Sequence, residues 1–205
     1  MRRTVLLLTV VAACLVMASG VALAVNRIGT NGPDTLRGTN GADNLLGKGG
    51  NDDLIGLGGS DNLVGGPGKD DVFGGTERSP RGGDKNLDGG GGNDFVGGGQ
   101  GADNIVGGDG NDFMLGGEFG RTPAAKDNLS GGAGNDVILV FNKPAGKDVV
   151  TCGGGFDRVL ADRADVVVPD CERVKIVRGS REAVLRQEKE FLESIPESFF
   201  AGLQP

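Results

Sequence analysis

From Gly29 onward the apolar residues return at a fixed interval of nine. Leu36, Leu45, Leu54, Leu63 and Val72 mark the first five blocks, which read GTNGPDTLR, GTNGADNLL, GKGGNDDLI, GLGGSDNLV and GGPGKDDVF. A longer block, Gly74 to Asp88, carries Leu87. GGGGNDFVG, GGQGADNIV and GGDGNDFML then carry Val96, Ile105 and Met114. A second long block, Gly116 to Ser130, carries Leu129, and GGAGNDVIL closes the series with Ile138. Both long blocks have 15 residues, nine plus six.

Two polar columns run beside the apolar one. Position 1 is Gly in all 11 blocks. Position 6 is Asp in ten of them: Asp34, Asp43, Asp52, Asp61, Asp70, Asp94, Asp103, Asp112, Asp127 and Asp136. In the first long block that slot falls on Lys85, with Asp84 beside it. The last three residues of a block, such as Asn62-Leu63-Val64, predict a very short strand. Side chains alternate along a strand, so position 8 points inward and its neighbours outward. The first six residues predict a turn, because glycine reaches backbone conformations closed to other residues. Such a turn can aim carbonyl oxygens at one point, where the Asp adds a carboxylate. A flexible glycine-rich linker would explain the composition, but not the fixed phase or the apolar residue in every block.

These blocks resemble the hemolysin-type calcium-binding repeat, the RTX nonapeptide G-G-x-G-x-D-x-U-x, over the 111 residues from Gly29 to Leu139. Departures include the second glycine, replaced by Thr30, Thr39, Lys48 and Leu57 in the first four blocks, and Pro67 at the variable third position. The resemblance implies an all-β fold, a right-handed parallel β-roll in which two blocks make one coil. It also implies several Ca²⁺ ions held between same-side turns, so that block n shares an ion with block n+2. Asp34 would then pair with Asp52, Asp43 with Asp61, Asp52 with Asp70 and Asp94 with Asp112. Counting same-side neighbours suggests about four to eight ions.

The chemistry of the residues agrees with that metal. The chain has no His, which removes the usual zinc ligand, and magnesium prefers to keep its waters. Calcium takes six to eight oxygens, and an affinity of roughly 0.1–1 mM is expected of an extracellular site. Carboxylates stacked at the ~4.8 Å strand spacing repel by roughly 0.9 kcal/mol in bulk water, and by more where water is excluded. One inward apolar side chain per block makes a thin core. The mature chain is therefore expected to be largely disordered without calcium and to fold on binding it.

Beyond the repeats the sequence divides in three. Met1-Arg2-Arg3, an apolar run from Thr4 to Met17 and Ala22-Leu23-Ala24 predict a signal peptide over residues 1–24. A retained anchor is the alternative, but the run is short for a membrane span. Val11-Ala12-Ala13-Cys14 suggests a lipoprotein site, except that apolar sequence continues past it. The mature chain, from Val25, is expected to be secreted, extracellular or at the cell surface, with no membrane span. Removing Arg2 and Arg3 takes the net charge from −7 to −9. That charge disfavours nucleic acid and anionic lipid. The roll is assigned to 25–139.

Residues 140–178 read as degenerate repeats forming a cap, for Asp148, Asp157 and Asp165 keep the aspartate spacing at nine and eight. Cys152 and Cys171 are the two cysteines left after cleavage and predict a disulfide. The stretch around them resembles the ends of secreted repeat proteins of actinobacterial type. Residues 179–205 predict a helix from Ser180 to Ser194, with Val184, Glu188, Phe191 and Ile195 on one face, ended by Pro196. The expected place for this helix is the roll's open end. No catalytic constellation is present, since without His there is no Ser–His or Cys–His pair. The expectation is a calcium-loaded structural or interaction module with an unidentified extracellular partner, and not an enzyme. The alternative is a calcium-dependent adhesin or ice-binding relative. Against ice binding, Thr occupies position 2 only at Thr30 and Thr39.

Overall fold

The computed structural model describes residues 23–75, 83–84, 86–117, 125–140, 146–178 and 181–203. The expected leader, but for Leu23 and Ala24, and Lys85 lie outside the described residues. Within them the nine-residue beat becomes a ladder of short strands: β1 (Asn26–Ile28), β2 (Thr35–Arg37), β3 (Asn44–Leu46), β4 (Asp53–Leu57), β5 (Asn62–Pro67), β6 (Asp71–Gly75), β7 (Asn86–Gly91) and β8 (Phe95–Gly97). It continues through β9 (Asn104–Asp109), β10 (Phe113–Leu115), β11 (Asn128–Ala133), β12 (Val137–Leu139), β13 (Val149–Gly154), β14 (Arg158–Ala161), β15 (Val166–Val167) and β16 (Arg173–Ile176).

Successive strands do not pair with each other. The odd-numbered strands form one parallel sheet of eight and the even-numbered strands another, each strand bonded to the one two places on. The register aligns equal block positions, as in Leu45↔Leu63 and Leu54↔Val72. The expected parallel β-roll is what the chain forms. The 15-residue blocks keep that register, since Leu63 pairs with Leu87 and Ile105 with Leu129.

The core lies between the sheets and is built from position 8. Leu45, Leu54, Leu63, Val72, Leu87, Val96, Ile105, Met114, Leu129 and Ile138 are all buried, and Leu36, in the first coil, is packed against them but partly open. Both sheets run on through β13–β16, where Val150 and Val159 join the same core. Here the position-1 glycine gives way to buried Val140, Cys152 and Ala161. Cys152 and Cys171 form the expected disulfide, Cα to Cα 5.2 Å.

The C-terminal segment forms the expected helix, with a second after it and at a different place on the roll. It forms two helices, α1 (Arg181–Glu193) and α2 (Glu197–Leu203). They lie along the outer face of the even-numbered sheet rather than over the open end. Val184, Phe191, Ile195 and Phe199 pack there on Phe113, Val137, Leu139 and Leu160. Outward positions 7 and 9 of β10 and β12 are apolar, and that stripe is what the helices cover. Phe95 stacks on Phe113 at 5.4 Å, and Phe200 adds a tilted contact at 6.3 Å. At the far tip, Asn93 Nδ2 donates to Gly202 O at 3.3 Å.

Candidate metal centre

Because each turn repeats every second block, the position-6 aspartates form two columns. Asp34, Asp52, Asp70, Asp94, Asp112, Asp136 and Asp157 precede the even-numbered strands. Asp43, Asp61, Asp84, Asp103, Asp127, Asp148 and Asp165 precede the odd-numbered ones. Each rung has one form: the backbone N–H of one aspartate donates to Oδ1 of the next in its column. Asp52 donates to Asp70 at 2.8 Å, Asp94 to Asp112 at 2.8 Å and Asp112 to Asp136 at 2.9 Å. The pairs expected from the repeat, Asp34 with Asp52 and Asp43 with Asp61, meet this way at 2.8 Å.

The first long block needs a correction. Its column position belongs to Asp84, not to Lys85: Asp61 donates to Asp84 Oδ1 at 2.9 Å, and Asp84 to Asp103 Oδ1 at 2.6 Å. Two residues, Lys85 and Asn86, lie between Asp84 and the inward Leu87, where every other block has one. Counting in nines cannot see that extra residue.

The second carboxylate oxygen behaves differently. Oδ2 of Asp52, Asp61, Asp70, Asp94, Asp103, Asp112, Asp136 and Asp157 is buried and accepts no hydrogen bond. Each but that of Asp157, whose coil has Cys152 at position 1, lies against the position-1 glycine of its own block. A Cβ on Gly56 would stand 2.4 Å from Asp61 Oδ2 and 2.6 Å from Gly74 O, and one on Gly47 would stand 2.3 Å from Asp52 Oδ2 and 2.6 Å from Gly65 O. The invariant glycine is thus a demand for space, made by a carboxylate and a carbonyl together. Position 2 is a demand on conformation. Glycine there has positive φ, as at Gly66, and Lys48 and Leu57 adopt +84° and +80° in its place.

An unpartnered buried carboxylate is expensive to ionise, and the protonation equilibria record it. Burial, with some repulsion from column neighbours, pushes Asp112 and Asp127 up to about 8 and Asp84, Asp94 and Asp136 up to about 7. Asp61, Asp70, Asp103 and Asp165 rise to about 6, again mainly through burial. The rung hydrogen bond opposes each rise but does not cancel it.

The heads of the columns are built otherwise. Asp34 Oδ2 accepts from Thr30 N at 2.5 Å and from Thr30 Oγ1 at 2.9 Å. Asp43 Oδ2 accepts from Thr39 N at 2.5 Å and from its hydroxyl at 3.2 Å. The two threonines that replace the second glycine therefore satisfy the oxygen left bare further down. At the other end the ladder outlasts the repeat: Asp136 donates to Asp157 at 2.8 Å, and Asp157 to Glu172 Oε2 at 2.8 Å. Asp148 and Asp157 are fully buried members of the columns.

The donor set suits a hard cation. It is all oxygen, two carboxylates per step with turn carbonyls beside them, and the bare Oδ2 atoms lack only positive charge. Among the described residues no three column carboxylates converge, so turn carbonyls must complete any ion's shell. The one tight group of three, Cys152, Asp170 and Cys171, has both sulfurs in the disulfide.

The sequence profile of the RTX calcium-binding nonapeptide repeat matches the chain in four copies, at residues 28–63, 46–77, 88–120 and 124–139. The chain belongs to the RTX calcium-binding repeat family. Among curated proteins, none matches it. The matched segments hold the column aspartates from Asp34 to Asp136 except Asp84, which falls between two of them, and the later rungs lie past the last matched residue. Among the described residues no helix is long and apolar enough to cross a membrane.

Proposed function

We propose that this RTX protein is a secreted calcium-dependent scaffold. Its roll is largely disordered at low calcium and closes when the acidic columns are neutralised. The observation that carries this reading is the row of buried, unpartnered Oδ2 atoms from Asp52 to Asp136. Such atoms cost free energy unless paired, and along each column every neighbour has the same charge. Bound calcium supplies the missing positive charge between consecutive turns. Asp52, Asp61, Asp70, Asp94, Asp103, Asp112, Asp127 and Asp136 would hold it, with main-chain carbonyls of the same turns. Asp34 and Asp43 head the columns and already have their threonine donors.

In this reading residues 25–139 are the metal-responsive roll, and 140–178 form a cap whose disulfide and fuller apolar core do not depend on the ion. Residues 1–24 direct export, and the calcium outside the cytoplasm fills weak sites. The folded roll then presents its faces to an extracellular partner, as a structural rather than a catalytic element. Titration calorimetry of the chain from Val25 tests the reading. It should take up several Ca²⁺ per molecule at sub-millimolar to millimolar concentration, with fewer ions bound by Asp112→Ala. No heat of calcium binding up to 10 mM, roughly ten times the weakest expected site, refutes it.

A further inference from the structure

The column of the odd-numbered strands has one more rung above its first aspartate, Asp43. Val25 stands 18 residues before Asp43, the interval that also separates Asp43 from Asp61. Its backbone nitrogen donates to Asp43 Oδ1 at 2.6 Å, as that of Asp43 donates to Asp61 Oδ1 at 2.8 Å. Its carbonyl accepts from Asn44 N at 2.9 Å. Val25 therefore holds the rung of a preceding aspartate without bringing a carboxylate. It is also the residue at which the leader reading places the mature N-terminus.

We propose that removal of residues 1–24 turns this rung into an ion pair, the α-ammonium of Val25 on Asp43, so that this column is closed at its head by the chain's own terminus instead of by metal. Hydrolysis of the Ala24–Val25 bond by the host's leader peptidase consumes one water. It leaves a carboxylate on Ala24 and an amine on Val25 that is protonated at neutral pH. Each further rung of the column from Asp43 down to Asp148 has an uncharged main-chain amide as donor. Only this one acquires a charge, and charge-assisted hydrogen bonds are the stronger kind.

The surroundings are ready for it. Asp43 is only 1% exposed, and its Oδ2 already accepts from Thr39. The Thr39 hydroxyl also donates to Leu23 O at 2.8 Å, and that carbonyl leaves with the leader. The hydroxyl is then left to the carboxylate, which has the ammonium on one oxygen and Thr39 on the other. Position is exacting. One extra residue carries the charge about 3.8 Å away along the chain.

The inference rests on the leader reading, so the experiment separates the two. N-terminal mapping of the exported protein should find Val25 first, and any other start overturns the proposal at its premise. The ion pair is then tested on the chain from Val25 in saturating CaCl₂, with its α-amine free, acetylated, or displaced by one added glycine. Amide hydrogen exchange at residues 26–28 and 44–46 should be roughly three- to tenfold faster in both altered chains, with residues 128–133 unchanged. In Asp43→Asn the three chains should exchange alike. Equal rates in all three chains that keep Asp43 overturn the ion pair, and that comparison stands even if Asp43→Asn fails to fold.

Discussion

At the scale of single residues, position 1 and position 6 are one feature. In every repeat but that of Asp127, the carboxylate Oδ2 occupies the space beside its own glycine, so neither residue can change alone there. Gly47→Ala should destabilise the calcium-loaded roll by roughly 1–3 kcal/mol or more, because its Cβ would meet Asp52 Oδ2 and Gly65 O. Gly91→Ala, where nothing lies within 4 Å, should be nearly neutral. Thermal melts of the two variants in calcium check the contrast. Asp52→Ala should likewise cost more than Asp34→Ala, by about 2 kcal/mol. Asp52 is buried with Oδ2 bare and rungs on both sides, whereas Asp34 heads its column under Thr30. Equal losses would count against the column scheme. The aspartates and the inward apolar residues were legible in the sequence, because each recurs at a fixed phase. Asp84 was not, because one added residue shifts the count. The capping work of Thr30 and Thr39 was hidden as well, because a threonine in a glycine column looks like decay until its hydrogen bonds are seen.

At the scale of elements, two-residue spacing explains the strands, while the sheets follow from what the turns can stack on. The sequence signalled α1 through Val184, Phe191 and Ile195, all of which are buried. It did not signal where α1 docks. That was set by Phe113, Val137, Leu139 and Leu160, outward residues of strands whose repeat phase spoke only for the inward one. The second helix has no signal of its own in the sequence, because Pro196 both ends the first helical pattern and stands just before the start of α2, where proline is well placed. Phe191→Ala should cost about 3–5 kcal/mol and release both helices from the sheet, while Leu185→Ala, 43% exposed, should cost little. Helical signal in circular dichroism and proteolysis between β16 and α1 report this. The disulfide makes a separate prediction. Its 19-residue separation gives roughly 3 kcal/mol in the chain-entropy picture, and the loss on reduction should be confined to exchange in β13–β16.

At the scale of the whole molecule, the roll is two acidic columns wrapped round a thin apolar core. The repeat phase announced that plan, and the sequence continued it past Leu139 only faintly, since Val140 and Cys152 replace the glycines that mark a block. The plan has a pH signature. Asp61, Asp70, Asp84, Asp94, Asp103, Asp112, Asp127, Asp136 and Asp165 have folded-state pKa values raised to about 6 to 8, mainly by burial, against about 4 in an unfolded chain. A raised carboxylate binds its proton more tightly when folded. Its contribution to stability is therefore complete below about pH 4 and is lost as pH climbs through 6 to 8. In metal-free buffer the chain should thus be more folded at pH 4.5 than at pH 7.5, as read by circular dichroism. With calcium the order should invert, because protons compete for the same oxygens.

The most direct test is far-UV circular dichroism of the chain from Val25 at pH 7.5, first in chelator and then with calcium in excess. A largely disordered spectrum in chelator that turns to β-sheet with calcium, and not with equal magnesium, is the expected result. A β-sheet spectrum already complete in chelator would show that the acidic columns coexist without an ion, and would contradict the account.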